Sequence, residues 1–199
     1  QAQACIANND RPGALALLNQ AVATAPEAAR ARIDLARLQH MMGDSGAALG
    51  TLQALSQQAP AAVPLATPLM LETAIAAGQA PEMQALLQAH YAQAPSLDVL
   101  EGIVALQALN PTDAATARQW YVRHLDKEQS LVAAAKWLAE EKLEHEEFHP
   151  QIQRALDHAV KPLTRYRCAA CGFEARQHFW QCPGCQTWDS YPARRVEEL

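Results

Sequence analysis

Met42-Gly43-Asp44-Ser45-Gly46-Ala47-Ala48 restates, 34 residues on, the turn spelled by Asn8-Asn9-Asp10-Arg11-Pro12-Gly13-Ala14. Each is a turn followed by a small residue that opens an apolar-periodic helix. The agreement runs beyond the turn. Asn9, Ala14, Leu18 and Pro26 recur as Gly43, Ala48, Leu52 and Pro60, and with one added residue as Gly78, Met83, Leu87 and Pro95. In the clearest unit the spacing predicts helices over about 28–42 and 45–58, packed antiparallel. Ala36 and Ala48 are expected where the two helices approach most closely and only a small side chain fits. Leu35, Leu38, Leu49 and Leu52 are expected to fill the space between neighbouring hairpins, and Pro60 to stop the second helix. One hairpin cannot bury its apolar face, so neighbours must stack.

A 34-residue period with a mid-repeat glycine, a following alanine and a terminal proline is the tetratricopeptide pattern. The alternative is a generic array of helical hairpins. The expected fold is therefore mainly α: a tetratricopeptide-type α-solenoid over residues 1–160. The pattern fades along the chain, and Pro64 and Pro68 are expected to shorten the helix that ends near Gly78. Beyond Pro95, helices read at about 97–109, 112–124, 127–143 and 150–160, with Thr112 or Asp113 as a cap. Trp120, Tyr121, Leu131, Val132, Trp137 and Leu138 read as core, and the lone Cys5 as a small buried hydrophobe. Stacked hairpins present their first helices on a concave face. In the clearest repeat this is a candidate partner groove of Arg30, Ile33, Arg37, His40 and Met41, whose cations suit an acidic segment. An ordinary solvated face accounts for the same residues.

The last 39 residues read differently. Cys168-Ala169-Ala170-Cys171-Gly172 is followed after nine residues by Cys182-Pro183-Gly184-Cys185. Two C-x-x-C turns facing each other make a tetrahedral S4 cage, so Cys168, Cys171, Cys182 and Cys185 are the expected ligands of one metal ion. Zinc and iron both accept such a site. Disulfides or buried free thiols are the competing readings, and a thioredoxin-like site would need one pair opening a helix. Gly172 is expected at positive φ, turning backbone N–H groups toward sulfur. Gln186 stands where a second glycine would serve the other turn. Short strands are expected at 165–168, 173–175 and 178–181. The aromatics Tyr166, Phe173, Phe179, Trp180, Trp188 and Tyr191 are expected partly around the cage and partly docked on helices, because the linker from about Lys161 is short. So small a module has little core, and metal must supply much of its folding energy. The four-Cys module thus occupies 161–199, and its loss is expected to leave the helices largely folded.

Charge narrows the function classes. Residues 161–199 hold six basic and four acidic groups, a net of +2, while the rest carries ten basic against seventeen acidic, a net of −7. An acidic body with a mildly basic knob is a poor nucleic-acid binder, which needs a concentrated basic patch. No run reaches 18 consecutive apolar residues, so no membrane-spanning helix is expected. The chain opens at Gln1 in mid-pattern and is expected to be a piece of a longer protein. His145-Glu146-Glu147-Phe148-His149 spells the H-E-x-x-H of zinc proteases. That chemistry needs both histidines on one helical face, and Pro150 pushes His149 out of helical geometry. A helix end with a solvated charge run is the expected reading, and the same region offers no Gly-rich phosphate loop and no G-x-S-x-G.

Tetratricopeptides followed by Tyr166-Arg-Cys-x-x-Cys-Gly-Phe173, then Trp180-x-Cys182-Pro-x-Cys185-x-x-Trp188, resemble the lipopolysaccharide assembly protein B family. The cysteine module, rubredoxin-like and related to zinc ribbons, is the specific part. The resemblance covers the chain in order of parts but matches only the family's C-terminal half. It implies a non-enzymatic adaptor on the cytoplasmic face of the bacterial inner membrane. Its implied partners are the membrane-bound AAA+ protease FtsH, the deacetylase that commits material to lipid A, and other lipopolysaccharide assembly factors. Degradation of that deacetylase is the implied outcome. Membrane attachment would come only through an N-terminal helix absent here, so these residues are expected to be soluble. The alternative is a rubredoxin-like electron-transfer protein carrying iron. Gln186 and packing of the module on helices weigh against it.

Overall fold

The repeat written at Ala14/Leu18, Ala48/Leu52 and Met83/Leu87 is a burial pattern: all six side chains are at most 5% exposed. The computed structural model describes residues 2–8, 10–110, 114–139 and 149–199. Two compact units result, Gln1–Gln93 and Ala94–Leu199.

The first unit is a chain of antiparallel helices: α1 (Ala2–Ala7), α2 (Arg11–Thr24), α3 (Ala29–Met41), α4 (Ser45–Gln58), α5 (Val63–Ala77) and α6 (Ala80–Gln93). Sequence dictates their ends. Asp10 and Asp44, 34 residues apart, each cap a helix by accepting from the backbone N–H three residues on, at 2.9 Å. Gly43 and Gly78 take φ of +87° and +68°, left-handed geometry that releases the chain from α3 and α5. Pro26, Pro60 and Pro95 each follow the last residue of a helix by two. Ala36 and Ala48 are fully buried and let α3 and α4 approach closely. Leu35 and Leu38 join Ala14 and Leu18 in one cluster, against which Cys5 packs partly buried.

Pro64 and Pro68 do not shorten α5, which runs 15 residues. Pro64 lies in the first turn, where its N–H would be unpaired anyway, and Pro68 forfeits one hydrogen bond near the start. Pro60–Ala77 has the length and apolarity of a membrane crossing, with mean hydropathy 1.3. Half of it is buried, including Val63, Ala66, Leu69, Met70 and Ala74, as in a core helix.

The second unit is built on α7 (Leu97–Ala108), whose buried face is Leu97, Val99, Leu100, Ile103 and Leu106. Around it come α8 (Ala114–Ala117), α9 (Gln119–Leu125), α10 (Leu131–Ala139) and α11 (His149–Val160). Tyr121 and Val132 are core as expected. Trp120, Trp137 and Leu138 are half-buried, and the Trp120 indole donates to Gln107. Leu131 departs from the expectation: it opens α10 and is 39% exposed. Thr112 and Asp113, the expected cap, lie outside the described residues, as do His145, Glu146 and Glu147. His149 opens α11, and its Nε2 donates to the Leu138 carbonyl at 3.1 Å. Two strands follow, β1 (Tyr166–Arg167) and β2 (Glu174–Ala175), paired antiparallel with Tyr166 opposite Ala175. The third expected strand, 178–181, is reduced to a single bridge between Gln181 and Trp188, because the second knuckle turn takes over the neighbouring backbone groups.

Candidate metal centre

The hairpin β1–β2 carries the first knuckle in its loop. Cys168 leaves β1, the chain turns through Ala169 and Ala170, and Gly172 at φ +76° donates back to the Cys168 carbonyl at 2.8 Å. The second knuckle repeats this geometry: Gln186 N–H donates to the Cys182 carbonyl at 2.8 Å. Each first cysteine also donates its own N–H across the loop, Cys168 to Phe173 and Cys182 to Thr187. Gln186 is held at φ +61°, doing a glycine's work with a side chain attached.

The four Sγ atoms lie within 4.8 Å of one another. Cys168 to Cys185 is 3.8 Å and Cys171 to Cys182 is 3.7 Å. A tetrahedral site with metal–sulfur bonds of about 2.3 Å has sulfur–sulfur edges of about 3.8 Å. The donor set therefore fits a single ion, and the separations are nearly twice the roughly 2.05 Å of a disulfide. Zinc and iron suit such a site alike. Cys168 and Cys182 are buried, Cys171 and Cys185 exposed. Hydroxyls surround the sulfurs. Ser190 Oγ lies 3.2 Å from Cys168 and Thr187 Oγ1 3.3 Å from Cys185. Those contacts are the first cause holding both thiols below their ordinary range, Cys168 at about 6, against desolvation. Ser190 and Thr187 went unnoticed in the sequence. The short spacing from Cys185 to Thr187 is the only local signal of that role.

The module is bolted onto the helices of its own unit. Tyr166, next but one to Cys168, donates its hydroxyl to Asp98 at 3.1 Å. Arg195 grips the same carboxylate with Nε and Nη2, donates Nη1 to the Thr164 carbonyl, and lays its guanidinium 4.6 Å from the centre of the Tyr166 ring. Burial first, then the Asp98 charge, pushes the Tyr166 phenol well above its ordinary range, so it stays a donor. Glu197 and Glu198 lie in a short 3-10 turn (Val196–Glu198) and cap two helices. Glu197 accepts from Leu131 N at 2.6 Å, Val132 N at 3.1 Å and the Ser130 hydroxyl at 2.7 Å at the start of α10. Glu198 accepts from Leu97 N at 2.8 Å at the start of α7. Helix N-termini favour such carboxylates. Tyr166 docks as an aromatic, as expected, but Asp98, Arg195, Glu197 and Glu198 carry the docking. Removing 165–199 would take both carboxylates away and leave α7 and α10 with the caps of their own chain, Ser96 accepting from Val99 N and Ser130 from Ala133 N.

The groove residues are spread over different environments. Arg30 and Arg37 flank Asp34 at 3.8 and 3.4 Å, which offsets part of their charge. His40 Nδ1 lies 3.1 Å from Ser45 Oγ, and Met41 is 54% exposed. Ile33 is only 4% exposed and is buried, like Ala36, in the helix packing. Arg32 is buried and ties Pro26 O to Gln58 at 2.7 and 2.9 Å.

Residues 166–191 match the rubredoxin metal binding domain, and residues 6–70 match the tetratricopeptide repeat. Lipopolysaccharide assembly protein B of Escherichia coli K12 is 24% identical over 98% of this chain and 51% of its own length. The protein of that name from Haemophilus influenzae is 31% identical over 20% of this chain and 10% of its own. The chain spans about half the length of the E. coli relative. In sequence, and in the order of its helical repeats and metal module, the chain is similar to lipopolysaccharide assembly protein B.

Proposed function

We propose that the protein is a non-enzymatic adaptor in lipopolysaccharide assembly. On this reading residues 1–160 supply the helical scaffold and 161–199 the metal module. It works on the cytoplasmic face of the inner membrane and presents the lipid A-committing deacetylase to the FtsH protease for degradation. The observation that carries this is the similarity to lipopolysaccharide assembly protein B across 98% of the chain, with both of its parts matched in order. The chemistry is compatible. Four cysteines are the proposed ligands of one zinc or iron ion, and a closed S4 site leaves no coordination position for a substrate. Docking through Asp98 and Arg195 makes the module a brace for its helices. Arg30, Arg37, His40 and Met41 are the proposed partner contacts in the repeats.

The test is the half-life of the deacetylase in cells whose own assembly protein carries this chain in place of the half that it matches. A short half-life is expected with the native sequence, and a prolonged one with Cys168→Ser. A half-life equal to that of cells lacking any such protein refutes the reading.

A further inference from the structure

The metal cage and the two helix caps share one stretch of chain. Ser190 accepts from Ala169 N at 2.7 Å through its carbonyl and touches Cys168 Sγ through its hydroxyl. Tyr191 accepts from His178 Nε2 at 3.0 Å, donates its hydroxyl to the Phe173 carbonyl at 3.1 Å, and places that oxygen 3.9 Å from Cys182 Sγ. Residues 190–191 are thereby fixed to both knuckles. Four residues later Arg195 grips Asp98, and Glu197 and Glu198 follow at once on α10 and α7. Val196 N and Glu197 N donate to the carbonyls of Arg165 and Leu163, just upstream of β1. The segment 192–198 is therefore joined at one end to the cage, and its last turn is held by the residues that lead into β1. Its own 3-10 turn is three residues long and has no buried residue. Its one internal side-chain bond runs from Arg195 N to Glu198 at 2.8 Å, and a turn so short gains little from its own backbone.

We propose that metal occupancy of the four-cysteine site controls the N-termini of α7 and α10. With metal bound, residues 190–198 hold the Glu198 and Glu197 carboxylates on Leu97, Leu131 and Val132. When the metal leaves, the knuckles relax, the segment lets go, and both helix starts and the buried Asp98 carboxylate open to water. The metal then acts on helices that contribute no ligand to it, and the readiness of the second unit to present those helices follows metal supply.

The experiment is hydrogen exchange on the full chain, followed by mass spectrometry. Peptides over 97–103 and 130–136 report the two helix starts, and 29–58 serves as the control. The protein is measured loaded with zinc, stripped by chelator, and reloaded, with zinc content determined on each sample. Exchange at both helix starts is expected to rise at least tenfold on stripping and to return on reloading, with 29–58 unchanged. Unchanged protection at 97–103 and 130–136 in stripped protein overturns the proposal, and so does loss of protection throughout 29–58, which is general unfolding. Failure of the protein to take up zinc removes its premise and the metal reading together. Arg195→Ala supplies a second arm that leaves the ligands intact. It is expected to speed exchange at 97–103 in zinc-loaded protein without changing zinc content, and native-like protection there overturns the link.

Discussion

Replacing Asp98 with alanine removes the acceptor on which three donors converge: two Arg195 nitrogens and the Tyr166 hydroxyl. Asp98 is 8% exposed, so what remains is a buried phenol and a guanidinium without its counter-ion. Breaking a buried ion pair from one side costs about 3–5 kcal/mol. Arg195 is 23% exposed at its side chain and keeps the Thr164 carbonyl, so water softens that figure. The stranded Tyr166 hydroxyl adds roughly 1 kcal/mol or more. We expect a net loss of about 3 kcal/mol, which lowers the midpoint of a unit this size by on the order of 10–20 °C. All four tryptophans, Trp120, Trp137, Trp180 and Trp188, lie in the second unit, so their fluorescence during denaturation reports this unit alone. A double-mutant cycle with Arg195→Ala is expected to give a coupling of about 2 kcal/mol. A loss below about 0.5 kcal/mol, the value of an exposed surface pair, refutes the docking role.

Gln186→Gly relieves a left-handed side chain and is expected to stabilise the second knuckle by about 0.5–1 kcal/mol after the unfolded-state entropy is counted, read as tighter zinc retention against a competing chelator. A weaker hold would mean that Gln181, which donates to the Gln186 carbonyl, sets the turn instead. Arg32→Ala removes two hydrogen bonds whose acceptors, Pro26 O and Gln58, belong to exposed residues, and is expected to cost roughly 0.5–1.5 kcal/mol, seen as faster hydrogen exchange over 26–58; no change in exchange refutes it. Burial lowers the His124 pKa, against the raising effect of Glu128 and Glu197. Its stabilising neutral form is complete above the unfolded value of about 6.5 and is lost as pH falls toward the folded value. Between pH 7.5 and 5.5 the native protein should therefore lose more second-unit stability than His124→Gln, and equal losses contradict the assignment.

The periodic part of the structure was open to reading because its determinants are local. A turn, a small residue and a proline recur at one spacing, and each acts on the helix beside it. Asp10 and Asp44 fit the same phase, although their capping role shows only in the hydrogen bonds they accept. The cage was legible for a like reason: two cysteines three positions apart must share a turn. Asp98 and Arg195 had no such signal. They meet across 97 residues, and a charge on a helix face looks the same in sequence whether water or a guanidinium covers it. Glu197 and Glu198 entered the sequence reading only as two negative charges. Leu131 was misjudged because an apolar residue at the first position of a helix need not follow the buried stripe.

The bond from Leu97 N to Glu198 spans 101 residues, and that span sets an order of events during synthesis. The first unit closes through contacts one repeat apart, so each hairpin can settle as the next emerges. The second unit cannot complete the bonding at the start of α7, which Ser96 caps locally, until a hundred further residues have left the ribosome. At about 5–20 residues per second that is a delay of roughly 5–20 s. For that interval the newborn chain carries a finished helical stack followed by an unfinished one. The arrival of the metal-binding segment is the step that ends the wait.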